Sequence, residues 1–231
     1  MNLITAVYWQ TLQNHSALLL QQYQYKSIPI CFFALCPGQN KLQGKAGAYL
    51  TGQLLQWFRG QPFKRLAQNP DKYFPSLEEN LEHFLGRLNG DLVSGGLSSH
   101  LQFIPISGIF CVDDHFMLFS CGGQRIFSLN KNLGRGHVQC LTDYMENEKT
   151  AVGSLNIRQG ILQRKVGLLF ATDTFCRQIT EQDIRECLYV DELCGEDQVQ
   201  RHLRELGRRG EALGGRDMAA GMLFAYSEKA F

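Results

Sequence analysis

The sequence predicts an α+β fold, a sandwich of mostly antiparallel strands with helices on its outside. Strand-like segments come in runs, three at the start, several in the middle and one at the end. They do not alternate strictly with helices, as a doubly wound parallel sheet requires. Between these runs the apolar period lengthens from two residues to nearly four, the mark of amphipathic helices lying on a sheet. The 231 residues suffice for a substantial core, and 44% hydrophobic against 19% charged residues is the balance of a globular protein. No repeat, linker or low-complexity stretch interrupts the chain, so one domain over residues 1–231 is expected.

The elements follow in order. "LITAVYWQ" alternates, "SALLLQQYQ" follows a turn at Gln13-Asn14, and "IPICFFALC" is nearly all apolar, as a strand buried on both faces should be. From Leu42 the period changes, with Leu42, Ala46, Leu50, Leu54 and Phe58 at helical spacing. Gly44, Gly47 and Gly52 weaken that helix but permit close packing on a sheet. A loop with Pro62, Pro70 and Pro75 follows, and then a capping box of Ser76 with Glu79. Behind the box Leu77, Leu81, Phe84, Leu85, Leu88 and Leu92 make a helix that Gly95-Gly96 ends. "LQFIPISGIFCVDDHFMLFSCGGQRIFSLN" reads as a β-meander with turns at Ser107-Gly108, Asp113-Asp114 and Gly122-Gly123. "IRQGILQ" and "VGLLFATD" are two further strands, and Thr180 caps a short helix beginning "EQDIREC". Val199, Leu203 and Leu206 mark a last helix before the strand "AAGMLFAYS".

Charge and cysteine usage exclude several function classes. A net charge of +1 argues against nucleic acid or an anionic membrane as the main partner. Arg201, Arg204, Arg208 and Arg209 form one local basic cluster that reads as a solvated helix face. No apolar stretch approaches the roughly 20 residues of a membrane span. The N-terminus carries no secretory pattern. Eight cysteines occur without a CxxC pair, which fits neither a zinc ribbon nor a disulfide framework, so a reducing, cytoplasmic location is expected. "LQGKAG" lacks the spacing of a nucleotide-binding P-loop and is taken as structural.

One short stretch carries chemistry. In "LGGRDMAAGMLFAYS" an Arg-Asp pair stands before a buried strand, where Asp217 is costly to bury unless it caps a turn or serves a site. That stretch and three others resemble the metal-dependent (PPM-type, protein phosphatase 2C-like) serine/threonine phosphatases. "GGRDMAAGMLF" is similar to the family's closing Arg-Asp-Asn and final strand, and "GLLFATDTFCRQITEQDI" to its strand, Asp-Gly turn and capped helix. "MLFSCGGQRIFSL" resembles the Gly-Asp-Ser-Arg stretch, and "FFALCPGQNKLQGKAGAYL" the strand, Asp-Gly-Met-Gly-Gly-His loop and helix. The resemblance runs over nearly the whole chain in shared order and spacing. It implies a four-layer αββα sandwich, with a central β-sandwich flanked by pairs of helices. It also implies two divalent metals held by carboxylates, whose bound water attacks the phosphorus of a phosphoserine or phosphothreonine. Such hard cations take oxygen ligands, which is why aspartates carry the site.

Carried over residue by residue, the resemblance puts Asp173 and Asp217 at two of the family's metal-binding aspartates. The other positions depart. The aspartate that bridges both metals falls at Cys36, the glycine that lends a carbonyl at Pro37, and the Asn-Glu-Asp element at Asn14-His15-Ser16. The phosphate-gripping arginine falls at Thr11, the Asp of Gly-Asp-Ser at Gly123, and the loop histidine at Lys41, while Arg125 is kept. No aspartate occurs before Asp71, so a slip of a few residues in the matching restores none of the N-terminal ligands. Without the bridging carboxylate, two cations about 4 Å apart repel each other with little to hold them.

The expectation is therefore a degenerate phosphatase 2C-like protein, a pseudophosphatase, acting in signalling by binding a kinase, a phosphoprotein or another protein. Two alternatives remain open: an active Mn/Mg-dependent phosphoserine/phosphothreonine phosphatase with an altered metal site, and a structural or oligomerisation module. The cofactor expectation is none, or a single Mg or Mn at Asp173 and Asp217, whose bland reading is turn capping or pairing with an Arg or Lys. Cys36 has three readings. It joins Asp173 and Asp217, with His15, on a softer ion such as zinc; it is a phosphatase nucleophile; or it is an inert core thiol. The oligomeric state is open.

Overall fold

The structure is a computed structural model, described here over residues 2–10, 15–38, 40–94, 105–122, 124–130, 137–142, 155–163, 165–188, 195–216 and 218–226. The chain divides into two compact units. One comprises His15–Gly123 and Glu148–Ile161, the other Met1–Asn14, Gln124–Asn147 and Leu162–Phe231. Each holds one five-stranded sheet in which every neighbouring pair is antiparallel.

In the first of these units the strands are β2 (Ala17–Tyr25), β3 (Ile28–Cys36), β4 (Ile106–Val112), β5 (His115–Cys121) and β8 (Asn156–Ile161), side by side in that order. The all-apolar β3 and the largely apolar β4 lie inside the sheet and are buried at nearly every position, as expected for β3. Helix α1 (Lys41–Arg59) starts at Asn40, whose side chain accepts the Gln43 amide at 3.0 Å. Its buried face carries Ala46, Leu50, Leu54, Trp57 and Phe58 at the expected spacing. Leu42, placed on the same stripe from the sequence, is instead 45% exposed, one turn before the helix meets the core. Phe32 stands at the centre of this core, stacked on Phe58 at 5.1 Å between ring centres and flanked by Trp57, Phe110 and Phe119.

Three local expectations in this unit are corrected. The proline-rich loop contains α2 (Phe63–Gln68), and α3 (Pro70–Ser94) begins at Pro70 with Pro75 inside it. Proline suits the first helical position because its fixed φ matches and its missing N–H is an orphan there anyway. Pro75 forfeits one backbone bond on the exposed side, which the apolar face of Phe74, Leu77, Leu81, Leu85 and Leu88 outweighs. Ser76 is thus no N-cap; its hydroxyl donates to the Tyr73 carbonyl within the helix at 2.9 Å. The expected stop at Gly95-Gly96 lies outside the described residues. Ser107-Gly108 is no turn either, since β4 runs straight through it. The turn at Asp113-Asp114 is present, with Asp113 at φ 55°, and Gly122 turns the chain after β5 with φ 80°. The meander ends there, because the next strand joins the other sheet.

The second unit holds β1 (Asn2–Trp9), β6 (Arg125–Asn130), β7 (His137–Cys140), β9 (Val166–Ala171) and β10 (Ala219–Tyr226), in the order β1-β10-β9-β6-β7. Its helices are α4 (Asp173–Gln178), α5 (Glu181–Cys187) and α6 (Glu196–Ala212). Thr180 caps α5 as expected, in a reciprocal box with Asp183. Val199, Leu203 and Leu206 of α6 are buried with Ala6, Tyr8, Leu169, Phe175 and Met222. No helix among the described residues is long and apolar enough to cross a membrane.

The edge strand β1 is closed by a side chain. Gln200 of α6 accepts the Val7 amide at 3.1 Å and donates to the Val7 carbonyl at 2.7 Å, filling the outward backbone positions that a neighbouring strand would take. Replacing Gln200 by Ala is expected to cost about 1–2 kcal/mol in urea unfolding. Hydrogen exchange at the Val7 amide should quicken more than at its neighbours; unchanged exchange there would deny the edge-closing role.

Candidate functional site

The residues matched to the phosphatase site fall into two groups, one in each unit. In the second unit Asp173 opens α4, directly after β9. Thr172 before it is fully buried, and its hydroxyl oxygen accepts the amides of Phe175 at 3.4 Å and Ala219 at 3.3 Å. The Thr172 amide in turn donates to the Ala219 carbonyl at 3.1 Å. One threonine thus caps a helix and pins the end of β9 to the start of β10, which places Asp173 just beyond the C-terminal end of the middle strand. Thr172 was not singled out in the sequence, although a threonine just ahead of a helical run is an N-cap signal. Thr172→Val keeps the shape but orphans two buried amides, and should cost about 2 kcal/mol. Chemical denaturation measures the loss, and a cost below about 0.5 kcal/mol, the range of an ordinary surface change, would show that the hydroxyl is dispensable.

The Asp173 side chain is 40% exposed and pairs with Arg177, one helical turn on, at 2.6 Å. Arg125, the retained arginine, is exposed and lies opposite Ala171 in the β6–β9 register, at the same end of the sheet. Cys176 sits among these groups. Burial pushes its thiol up to about 12, against the opposing pull of Arg125. Asp217 lies outside the described residues. On either side of it Gln10 holds the chain: its side chain donates to the Gly215 carbonyl at 3.1 Å and accepts the Met218 amide at 3.1 Å.

In the first unit Cys36 ends β3 with its side chain fully buried against Ala17 and Gly47, where burial pushes the thiol well above its ordinary range. This close packing is the environment of a core residue. Ser16, in the stretch the resemblance matches to the Asn-Glu-Asp element, is buried, and its hydroxyl oxygen accepts the Gly38 amide at 3.3 Å. The stretch after Cys36 presses on the chain before β2. A methyl group added at Gly38 would stand 2.2 Å from the His15 carbonyl oxygen, and one at Gly44 2.8 Å from it. His15 and Pro37 are partly exposed and Lys41 is exposed, while Thr11, Asn14 and Gly123 lie outside the described residues.

A divalent metal of the phosphatase type needs several free carboxylate oxygens. The described residues supply Asp173, already engaged by a guanidinium, and a thiol at Cys36 that favours its protonated form. Among the described residues no three His, Cys, Asp or Glu side chains gather as a metal shell.

Comparison with known proteins places the fold. No protein-family model matches the sequence, and no curated protein matches it with significance. Solved structures match over nearly the whole chain. The S. agalactiae serine/threonine phosphatase aligns with 97% of this chain and 100% of its own, at a TM-score of 0.70 and 13% identity. The serine/threonine phosphatase Stp1 from Staphylococcus aureus aligns with 98% of this chain and 96% of its own, at 0.63 and 14%. PppA, a key regulatory component of the T6SS in Pseudomonas aeruginosa, aligns with 96% of this chain and 98% of its own, at 0.62 and 13%. The chain has the α+β fold of the protein phosphatase 2C-type serine/threonine phosphatases, as its four motifs implied. At these identities the likeness is one of fold.

Proposed function

We propose that this chain is a degenerate phosphatase 2C-like protein, a pseudophosphatase of the cytoplasm that acts in signalling by binding a kinase, a phosphoprotein or another regulatory protein. The observation that carries the reading is Cys36, a fully buried side chain at the position matched to the bridging carboxylate, where burial disfavours the charged form. A metal-bridging group must expose ionised oxygen to both ions, and this side chain offers neither charge nor access. The absence of any aspartate before Asp71, and Thr11 at the matched phosphate arginine, support the same reading from the sequence. That PppA is described as a regulatory component shows that one protein of this fold has such a role, and makes regulation a reasonable destination for this one. The free cysteines among the described residues suit a reducing compartment.

The rival is a working Mn/Mg-dependent phosphatase with an altered metal site, and the half-exposed Asp173 is the observation in its favour. Calorimetric titration of manganese into chelator-treated protein, with a p-nitrophenyl phosphate assay on the same sample and an Asp217→Asn control, separates the two. The degenerate reading expects no turnover. Tight binding with turnover, both lost in Asp217→Asn, would overturn it. Binding without turnover would leave one metal at Asp173 and Asp217 and keep the pseudophosphatase.

A further inference from the structure

Helix α6 has two unlike faces. Val199, Leu203, Leu206, Gly207 and Gly210 are buried, and at about 100° per residue Arg201, Arg204 and Arg208 fall on the opposite side. All three are exposed, and together they make a ridge about 10 Å long. Arg209, one position on, shows how this chain treats an arginine it uses internally: it meets Glu186 at 3.2 Å, Glu205 at 3.6 Å and Asp183 at 3.7 Å. No ion pair or hydrogen bond engages the side chains of Arg201, Arg204 or Arg208 among the described residues.

Among the described residues the nearby carboxylates do not cancel the ridge. Glu205 faces Arg209, and Glu211 is engaged by the Tyr8 hydroxyl, which donates to it at 2.6 Å. Asp197, one turn before Arg201, lies in line with the three arginines, and no ion pair joins it to Arg201. Like charges three and four residues apart on a helix repel, so this pattern opposes the helix that carries it.

We propose that the Arg201–Arg204–Arg208 ridge is a docking surface for an acidic protein segment, whose carboxylates pair with the three guanidinium groups. Guanidinium forks hold carboxylates in bidentate pairs, and three forks on one helix face match acidic residues repeating every third or fourth position on a partner helix. A duplex or a membrane would call for a broad basic field, and the chain as a whole carries only +1. The inference goes beyond the pseudophosphatase reading. The ridge contains none of the residues matched to the phosphatase site, and it stands whether or not the protein turns over phosphate.

The test uses the full chain at low ionic strength and a fluorescein-labelled helical peptide with glutamate at every third and fourth position, followed by anisotropy. Binding should weaken about tenfold or more in the R201E/R204E/R208E variant and stay unchanged in Arg87→Glu, an exposed arginine of α3. A lysine-bearing version of the peptide should bind the reversed variant and not the native protein. The melting temperature of the triple variant, equal to or above that of the native protein, shows that the fold survives. No binding, or equal affinity in native and reversed protein, overturns the proposal. So does tighter binding of a labelled thymidine oligonucleotide or of phosphatidylserine vesicles at the same salt, which would assign the ridge to another class of partner.

Discussion

Cys36→Asp, which places a carboxylate at the position the resemblance matches to the bridging aspartate, is expected to destabilise the protein by about 3 kcal/mol or more and to confer no activity. The side chain at this position has no solvent exposure and lies in the core against Ala17 and Gly47. An aspartate there must either bury its charge or take up a proton. Its folded pKa would therefore stand above the ordinary value of about 3.9. The sign follows from the protons bound. The folded state holds the proton to higher pH than the unfolded state, so the deficit grows as pH rises above about 4 and shrinks below it. Manganese is the decisive addition. A functional slot would be stabilised by metal by about 2.7 kcal/mol at a hundredfold excess over Kd, and p-nitrophenyl phosphate turnover would appear. We expect neither. A manganese-dependent rise in melting temperature together with turnover would show that Cys36 stands in a metal site with one atom group changed.

Gly108→Val should cost about 3 kcal/mol or more, because β4 is straight where the sequence alone suggests a bend. A methyl group at Gly108 would stand 2.4 Å from the Phe33 carbonyl oxygen and 2.3 Å from Cζ of Phe119. The first belongs to the backbone of the neighbouring strand, and the second to a ring with no solvent exposure that contacts Phe32. Neither can withdraw without moving the centre of the core, so the strain is not relieved by a rotamer change. Gly52→Ala is the matched control. It lies in α1 with nothing within 4 Å of the added carbon, and should stabilise the helix by about 0.5–1 kcal/mol. Urea unfolding of both variants reads the contrast. A cost below about 0.5 kcal/mol at Gly108 would mean the residue sits in an open turn after all.

Together the two substitutions test the packing of one sheet. Cys36 and Gly108 belong to neighbouring strands of one sheet, and Phe33, the neighbour of Gly108, lies on the strand that Cys36 ends. If both positions prove intolerant, core packing fixes both residues.

Much of the architecture was legible in the linear chain. The three N-terminal strands, the amphipathic helices of Leu50, Leu54 and Phe58 and of Val199, Leu203 and Leu206, and the Thr180 cap each follow from local period and capping chemistry. So does the absence of any aspartate before Asp71, which needs no structure to be seen. What the local signals misjudged were positions where a neighbour distant in sequence decides. Pro70 and Pro75 read as loop residues until the face running from Phe74 to Leu88 is seen packed in the core. Ser107-Gly108 reads as a turn until Phe119 fills the space a side chain would take. Thr172 and Gln200 are ordinary polar residues in the sequence, yet one joins β9 to β10 and the other closes the edge of β1. The order of elements and the absence of aspartate before Asp71 could be read directly from the chain, because both depend on residue type and spacing. That Cys36 is a buried thiol and that Asp173 is held by Arg177 emerges only from the folded structure, because burial and pairing are set by what the fold brings alongside.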